Sequence, residues 1–171
     1  MDFRVIQGDI AQQSADALVN AAGTSLRMGS GVAGALRREA GDELNEAAMA
    51  KGPVQLGDVA VTDAFELDAE YITHAAALPH YGSGQATEES IRAAVQNTLD
   101  VAKELDLSTI VLPALGCGVA GFDLVEGAKI IAEEITAHEP VSLDEVRLIA
   151  YSDEEYETMV DAVSQFRSED R

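Results

Sequence analysis

Residues 109–123 read TIVLPALGCGVAGFD, the clearest statement in the chain of how strand, loop and helix succeed one another. Thr109 to Leu112 is an unbroken apolar β-type run, the pattern of a strand covered on both faces of a sheet. A glycine-rich loop, Gly116 to Gly121, follows, and a helical pattern over Asp123–Ala137 comes next. The unit is strand, glycine loop, helix. The same unit stands upstream. Ala15–Asn20 reads as a strand, a glycine-rich stretch runs from Gly23 to Gly34, and Val32–Ala50 is helical with a break at Gly41-Asp42. The two loops even share letters: GSGVAG at 29–34 and GCGVAG at 116–121.

Working outward, strand and helix signals alternate. Phe3–Ile6, Val59–Thr62, Tyr71–Ala76 and Val146–Ala150 are further strand candidates. Glu88–Leu105 places Ile91, Val95, Leu99 and Ala102 on one helical face. Ser152 caps a final helix reaching about Phe166. No linker or composition shift divides the chain. The order predicts one domain over 1–171, a three-layer α/β/α architecture with a largely parallel sheet.

Composition narrows the function. Eleven Lys+Arg against 31 Asp+Glu give a net charge of −20, while 47% of residues are hydrophobic. Such a chain buries a real core and is not globally disordered. The charge argues against nonspecific binding to nucleic acid or anionic membranes, both of which need clustered cations. No apolar run approaches the roughly 20 residues of a membrane span, and the N-terminus lacks a signal-peptide pattern. Cys117 is the single cysteine, so no internal disulfide forms, which fits a reducing cytoplasm. His74, His80 and His138 lack ligand spacing, so no metal site and no resident cofactor are expected. Three lysines against eight arginines, with acids spread along the chain, suit a protein kept soluble in high salt, as in a halophilic host.

Glycines let another group approach the backbone, and successive N–H groups beside a helix N-terminus favour a phosphate. Two such loops in one sheet suit a diphosphate gripped from both sides. Each loop also matches the dinucleotide pattern G-x-G-x-x-G, but that fold needs an acid near the end of the next strand, about 20 residues on. Val54 and the region 141–145 occupy those places, and their acids precede the strands. Neither loop carries the Lys-Ser/Thr of a triphosphate loop.

Further pieces complete a pattern: Gly8-Asp9-Ile10, Val19-Asn20-Ala21-Ala22, Ile72-Thr73-His74-Ala75, and Pro113 through Phe122. In this order and spacing the chain resembles a macro domain, the ADP-ribose-binding module, over almost its whole length. The resemblance implies a mixed, roughly six-stranded sheet between helices, with ADP-ribose or an ADP-ribosylated molecule as partner. It implies that Asp9 accepts from the adenine amino group and that the Ile10 N–H meets an adenine edge nitrogen. It implies that Tyr151 stacks on the base. The loops Gly29-Ser30-Gly31-Val32-Ala33 and Gly116-Cys117-Gly118-Val119-Ala120-Gly121 then clasp the diphosphate, and Phe122 lies by the distal ribose. Many members hydrolyse ADP-ribose conjugates using N-A-A-N and, in one subgroup, an acid in the first loop. Here Gly23 and Ala33 stand at those positions. Asn20, Ser30 and His80 are the remaining catalytic candidates. The alternatives are a phosphatase or deacetylase of a free ADP-ribose metabolite and, disfavoured by the missing ribose acids, an NAD-dependent oxidoreductase.

Overall fold

A computed structural model describes residues 1–79, 84–118 and 121–169. Six strands form one sheet: β1 (Asp2–Gln7), β2 (Ala17–Gly23), β3 (Val59–Asp63), β4 (Tyr71–Leu78), β5 (Thr109–Pro113) and β6 (Glu145–Ala150). The spatial order is β1-β6-β5-β2-β4-β3. Every neighbouring pair is parallel except β3–β4, so the sheet is mixed through a single edge strand.

Alternation along the strands explains the layers. Val19, Ile110, Leu112 and Leu148 face one core with α3 (Glu88–Glu104), α4 (Leu124–Ala137) and α5 (Asp153–Glu169). Leu18, Ile72, Val111 and Ile149 face a second core with α1 (Gly31–Ala40) and α2 (Asp42–Lys51). The unbroken apolar run in β5 therefore serves both cores. The three-layer α/β/α expectation holds.

Boundaries shift for visible reasons. β2 starts at Ala17 rather than Ala15 because Asp16 is spent elsewhere. Its carboxylate accepts the Ser108 and Thr109 N–H groups at 2.7 and 3.1 Å, and its carbonyl accepts those of Glu70 and Tyr71 at 3.0 and 3.1 Å. These bonds tie together the amino ends of β2, β4 and β5. Gly41, at φ +96°, divides α1 from α2 as expected. The second glycine loop does not open α4 directly. Asp123 caps that helix, its carboxylate accepting the Glu126 N–H at 3.0 Å. Ser152 caps α5 by accepting from Glu155 N–H at 3.1 Å.

Parallel pairing puts the carboxyl ends of β1, β6, β5, β2 and β4 along one edge. At β5 and β2, neighbours in the sheet, the chain departs in opposite directions: to α4 on one face and α1 on the other. Adjacent strands whose connections part in this way leave a crevice beyond their carboxyl ends.

Candidate functional site

Four segments meet at that crevice, in an order set by the sheet. Asp9 and Ile10 follow β1, Tyr151 follows β6, Gly116–Gly118 follow β5, and residues 24–33 follow β2, which ends at Gly23. From β1 to β2 is three strand spacings, roughly 14 Å. The edge offers a long, ordered series of groups to an elongated ligand.

At the β1 end, Gly8 N–H donates to the Ala150 carbonyl at 2.9 Å and so holds the two strand ends together. Asp9 opens a 3-10 turn, Ile10–Gln12, and its Oδ1 accepts the Ala11 N–H at 2.9 Å. Its Oδ2 and the Ile10 N–H have no partner among the described residues. Tyr151 is 74% exposed, unusual for a tyrosine placed directly after a central strand. An acceptor, a donor and an aromatic face thus stand together.

The first glycine loop ends in Ser30, which has extended backbone at the N-cap of α1 but makes no side-chain cap bond. The first-turn N–H groups of Gly31, Val32 and Ala33 are left without intrahelical partners, as at any helix start. Gly31 has φ +61°, and the space where a Cβ would lie is empty. Gly29 and Ser30 are exposed, and Ala33 is buried against α2-side core residues.

The second loop is built differently. Its N–H groups at Cys117, Gly121 and Phe122 donate to Ala114, Gly118 and Gly116 carbonyls at 3.2, 2.9 and 3.1 Å. These bonds close the loop on itself. Gly118, at φ +73°, faces open space and its N–H has no partner among the described residues. Val119 and Ala120 lie outside the described residues, as does His80. Phe122 packs against the core shared with α4. The Cys117 thiol is pushed up to about 12, first by burial and then by the Asp123 charge, so it is held as a neutral thiol and not as a nucleophilic thiolate.

Asn20 lies deep under the crevice. Its Nδ2 donates to His74 Nδ1 at 3.0 Å, and His74 Nε2 donates to Thr62 Oγ1 at 2.9 Å. Thr62 Oγ1 in turn donates to the Asp63 carbonyl at 3.0 Å. One neutral tautomer of His74 satisfies the whole chain. Burial, then the Lys51 charge, lowers the His74 pKa to about 4. The Asn20 Oδ1 has no partner among the described residues. Gly23 stands where β2 shifts register, and a Cβ there would come within 3.3 Å of the Pro79 carbonyl oxygen.

At the opposite edge of the sheet a polar cavity of about 540 Å³ lies among Ser14, Asp16, Asp68, Glu70, Thr109 and Arg147. Asp16 is engaged there by β5, and Arg147 by Glu145, Gln13 and the Ser14 carbonyl, while Asp68 and Glu70 line it with carboxylates that would repel a phosphate.

The family model described as "Macro domain" matches residues 19–131. The chain belongs to the macro domain family. An uncharacterized protein of Saccharolobus solfataricus is 37% identical over 92% of this chain and 89% of its own length. An uncharacterized Mycobacterium tuberculosis protein is 36% identical over 90% of this chain but only 42% of its own length. Among solved structures, a variant of the Oceanobacillus iheyensis macrodomain with ADPR superposes at a TM-score of 0.86, with 27% identity over 96% of this chain and 92% of that one. The Trypanosoma brucei macrodomain in complex with ADP-ribose gives 0.83, with 26% identity over 93% and 68%. The mixed six-stranded sheet expected of a macro domain is the one observed.

Sequence reading missed three things about this macro domain. Three N–H groups of the second loop are spent inside it. Asn45 and Arg37 bond to the backbone of Met28 within the first loop. Asp16 ties together the amino ends of β2, β4 and β5. Each depends on contacts between residues distant in the chain, which no local spacing reveals.

Proposed function

We propose that the crevice binds ADP-ribose, free or attached to another molecule. One observation carries this reading: Asp9 with Ile10, Tyr151, the second loop and the first loop follow neighbouring strands along one sheet edge, a series that suits a base, a diphosphate and a distal ribose in turn. Similar proteins solved with ADPR and ADP-ribose support it. Asp9 Oδ2 accepts from the adenine amino group and the Ile10 N–H donates to the ring. Tyr151 covers the base. The N–H groups of Gly31 to Ala33 and of Gly118 neutralise the diphosphate through oriented dipoles, so a protein of charge −20 accepts an anion with few side-chain cations.

Binding is favoured over hydrolysis. Gly23 offers no side chain to orient water and has little room for one, Ala33 cannot act as a base, and the Asn20 Nδ2 is held by His74. Ser30 is the one exposed hydroxyl in the loop. Calorimetry with ADP-ribose, AMP, NAD and poly(A) tests the reading. ADP-ribose is expected to bind tightest, with poly(A) inert. Tight NAD binding without preference for ADP-ribose overturns it. Release of ADP-ribose from a modified protein at high protein concentration overturns the binding-only role.

We also read the charge as fitted to a salt-rich cytoplasm. Among the described residues, no helix is long and apolar enough to cross a membrane. Dispersed acids repel one another less when salt is added. The melting temperature is expected to rise from dilute buffer to molar KCl, and a fall speaks against the reading.

A further inference from the structure

We propose that Asn45, on α2, is a positioning residue for the first glycine loop: it holds the loop open for phosphate without touching the ligand. The inference rests on the ADP-ribose reading and deepens it. Residues 24–30 leave β2 and must turn into α1 with no ladder to pair with. Met28 sits at the middle of this passage, its side chain fully buried in the α1–α2 core. Both of its backbone polar groups are taken by side chains. The N–H donates to Asn45 Oδ1 at 2.8 Å, and the carbonyl accepts from Arg37 Nη1 at 2.9 Å. Arg37 is itself held, its Nε donating to Asp42 Oδ1 at 3.0 Å.

Neighbouring positions tighten the same brace. Leu26 is fully buried with φ +61°, a conformation a leucine keeps only when its surroundings impose it. A Cβ on Gly34 would lie 3.1 Å from the Gly29 carbonyl oxygen, so the loop folds back closely on α1. The chain is thus fixed up to Gly29, and the open N–H groups begin immediately after it. A donor array fixed before binding does not have to be ordered by the phosphate. Arg37, a cation close to a phosphate loop, is spent on shaping that loop.

The test compares Asn45→Leu, which removes the acceptor at similar volume, with Asn45→Asp, which keeps it. Calorimetry follows ADP-ribose, and NMR titration follows adenosine, which lacks phosphate. Both are done in molar KCl to screen the added charge. Asn45→Leu is expected to weaken ADP-ribose about tenfold, the scale of one net hydrogen bond, and to leave adenosine unchanged. The Met28 amide proton should exchange faster. Asn45→Asp should bind as the unmodified protein does. Should Asn45→Leu fail to fold, Arg37→Met removes the other half of the brace and carries the same expectation. Unchanged ADP-ribose affinity in a folded variant, equal losses for both ligands, or failure of Asn45→Asp to rescue overturns the inference alone. No ADP-ribose binding by the unmodified protein overturns the functional reading and the inference with it.

Discussion

Replacing Asp9 by asparagine separates two jobs that one side chain performs. Asp9 Oδ1 caps the 3-10 turn by accepting the Ala11 N–H at 2.9 Å, while Oδ2 has no partner among the described residues. Asparagine is as good a cap as aspartate, so its carbonyl oxygen keeps the turn and stability changes little. Its NH₂ group then faces the adenine amino group, donor against donor. A hydrogen bond to a charged partner contributes about 1.5–3 kcal/mol, so Asp9→Asn should weaken ADP-ribose about 10- to 150-fold. Asp9→Ala should lose the same affinity and in addition about 1 kcal/mol of stability from the missing cap, lowering the melting temperature by about 2–4 °C. Calorimetry with ADP-ribose and with its hypoxanthine analogue, which has an oxo group in place of the amino group, makes the comparison specific. The unmodified protein should prefer adenine, and Asp9→Asn should abolish that preference. A folded Asp9→Asn protein that binds ADP-ribose within twofold of the original, or keeps its preference for adenine, refutes the placement of Asp9 at the base.

Two further outcomes follow from the packing. Gly116→Ala should be strongly destabilising, because the residue has φ +77° and a Cβ there would lie 2.7 Å from the Ala86 Cβ and 2.8 Å from the Ile91 Cγ1. Left-handed strain and overpacking together amount to about 2–5 kcal/mol, read as a drop in denaturant midpoint at unchanged slope. His74 makes stability depend on pH. Its folded pKa, lowered to about 4 from 6.5, means the unfolded chain binds the extra proton between these values. Its contribution is therefore complete above about pH 6.5 and is lost as pH falls toward 4, about 3 kcal/mol in all. Melting curves should show His74→Asn less stable at pH 7 and less sensitive to acid, and parallel pH curves for the two proteins speak against the buried neutral ring.

What could be read from the sequence was governed by burial. β5 announces itself because Ile110, Val111 and Leu112 must satisfy cores on both faces. The two glycine hexapeptides are legible because local backbone freedom is written in residue type. The antiparallel setting of β3 is not, since Val59–Asp63 would alternate in the same way in either direction. Nor is the inward turning of the second loop's N–H groups, which depends on where Ala114 and Gly116 point their carbonyls. Asn45 and Met28 are 17 residues apart on different elements, and nothing in either neighbourhood pairs them. His74 lies in a strand motif legible in the sequence, but its partners Asn20 and Thr62 come from strands on either side. The catalytic candidates fare unevenly. Asn20 is committed to His74, Ser30 is open, and His80 lies outside the described residues.

In the proposed function, one sheet edge reads ADP-ribose from base to distal ribose. A crystal structure with ADP-ribose bound tests it most directly. Adenine is expected between Asp9 and Tyr151, the diphosphate against the N–H groups of Gly31 to Ala33 and Gly118, and the distal ribose beyond β2 near Gly23. A nucleotide bound in the polar cavity beside Asp16 and Arg147, or bound in the crevice with its base at the β4 end, would contradict it.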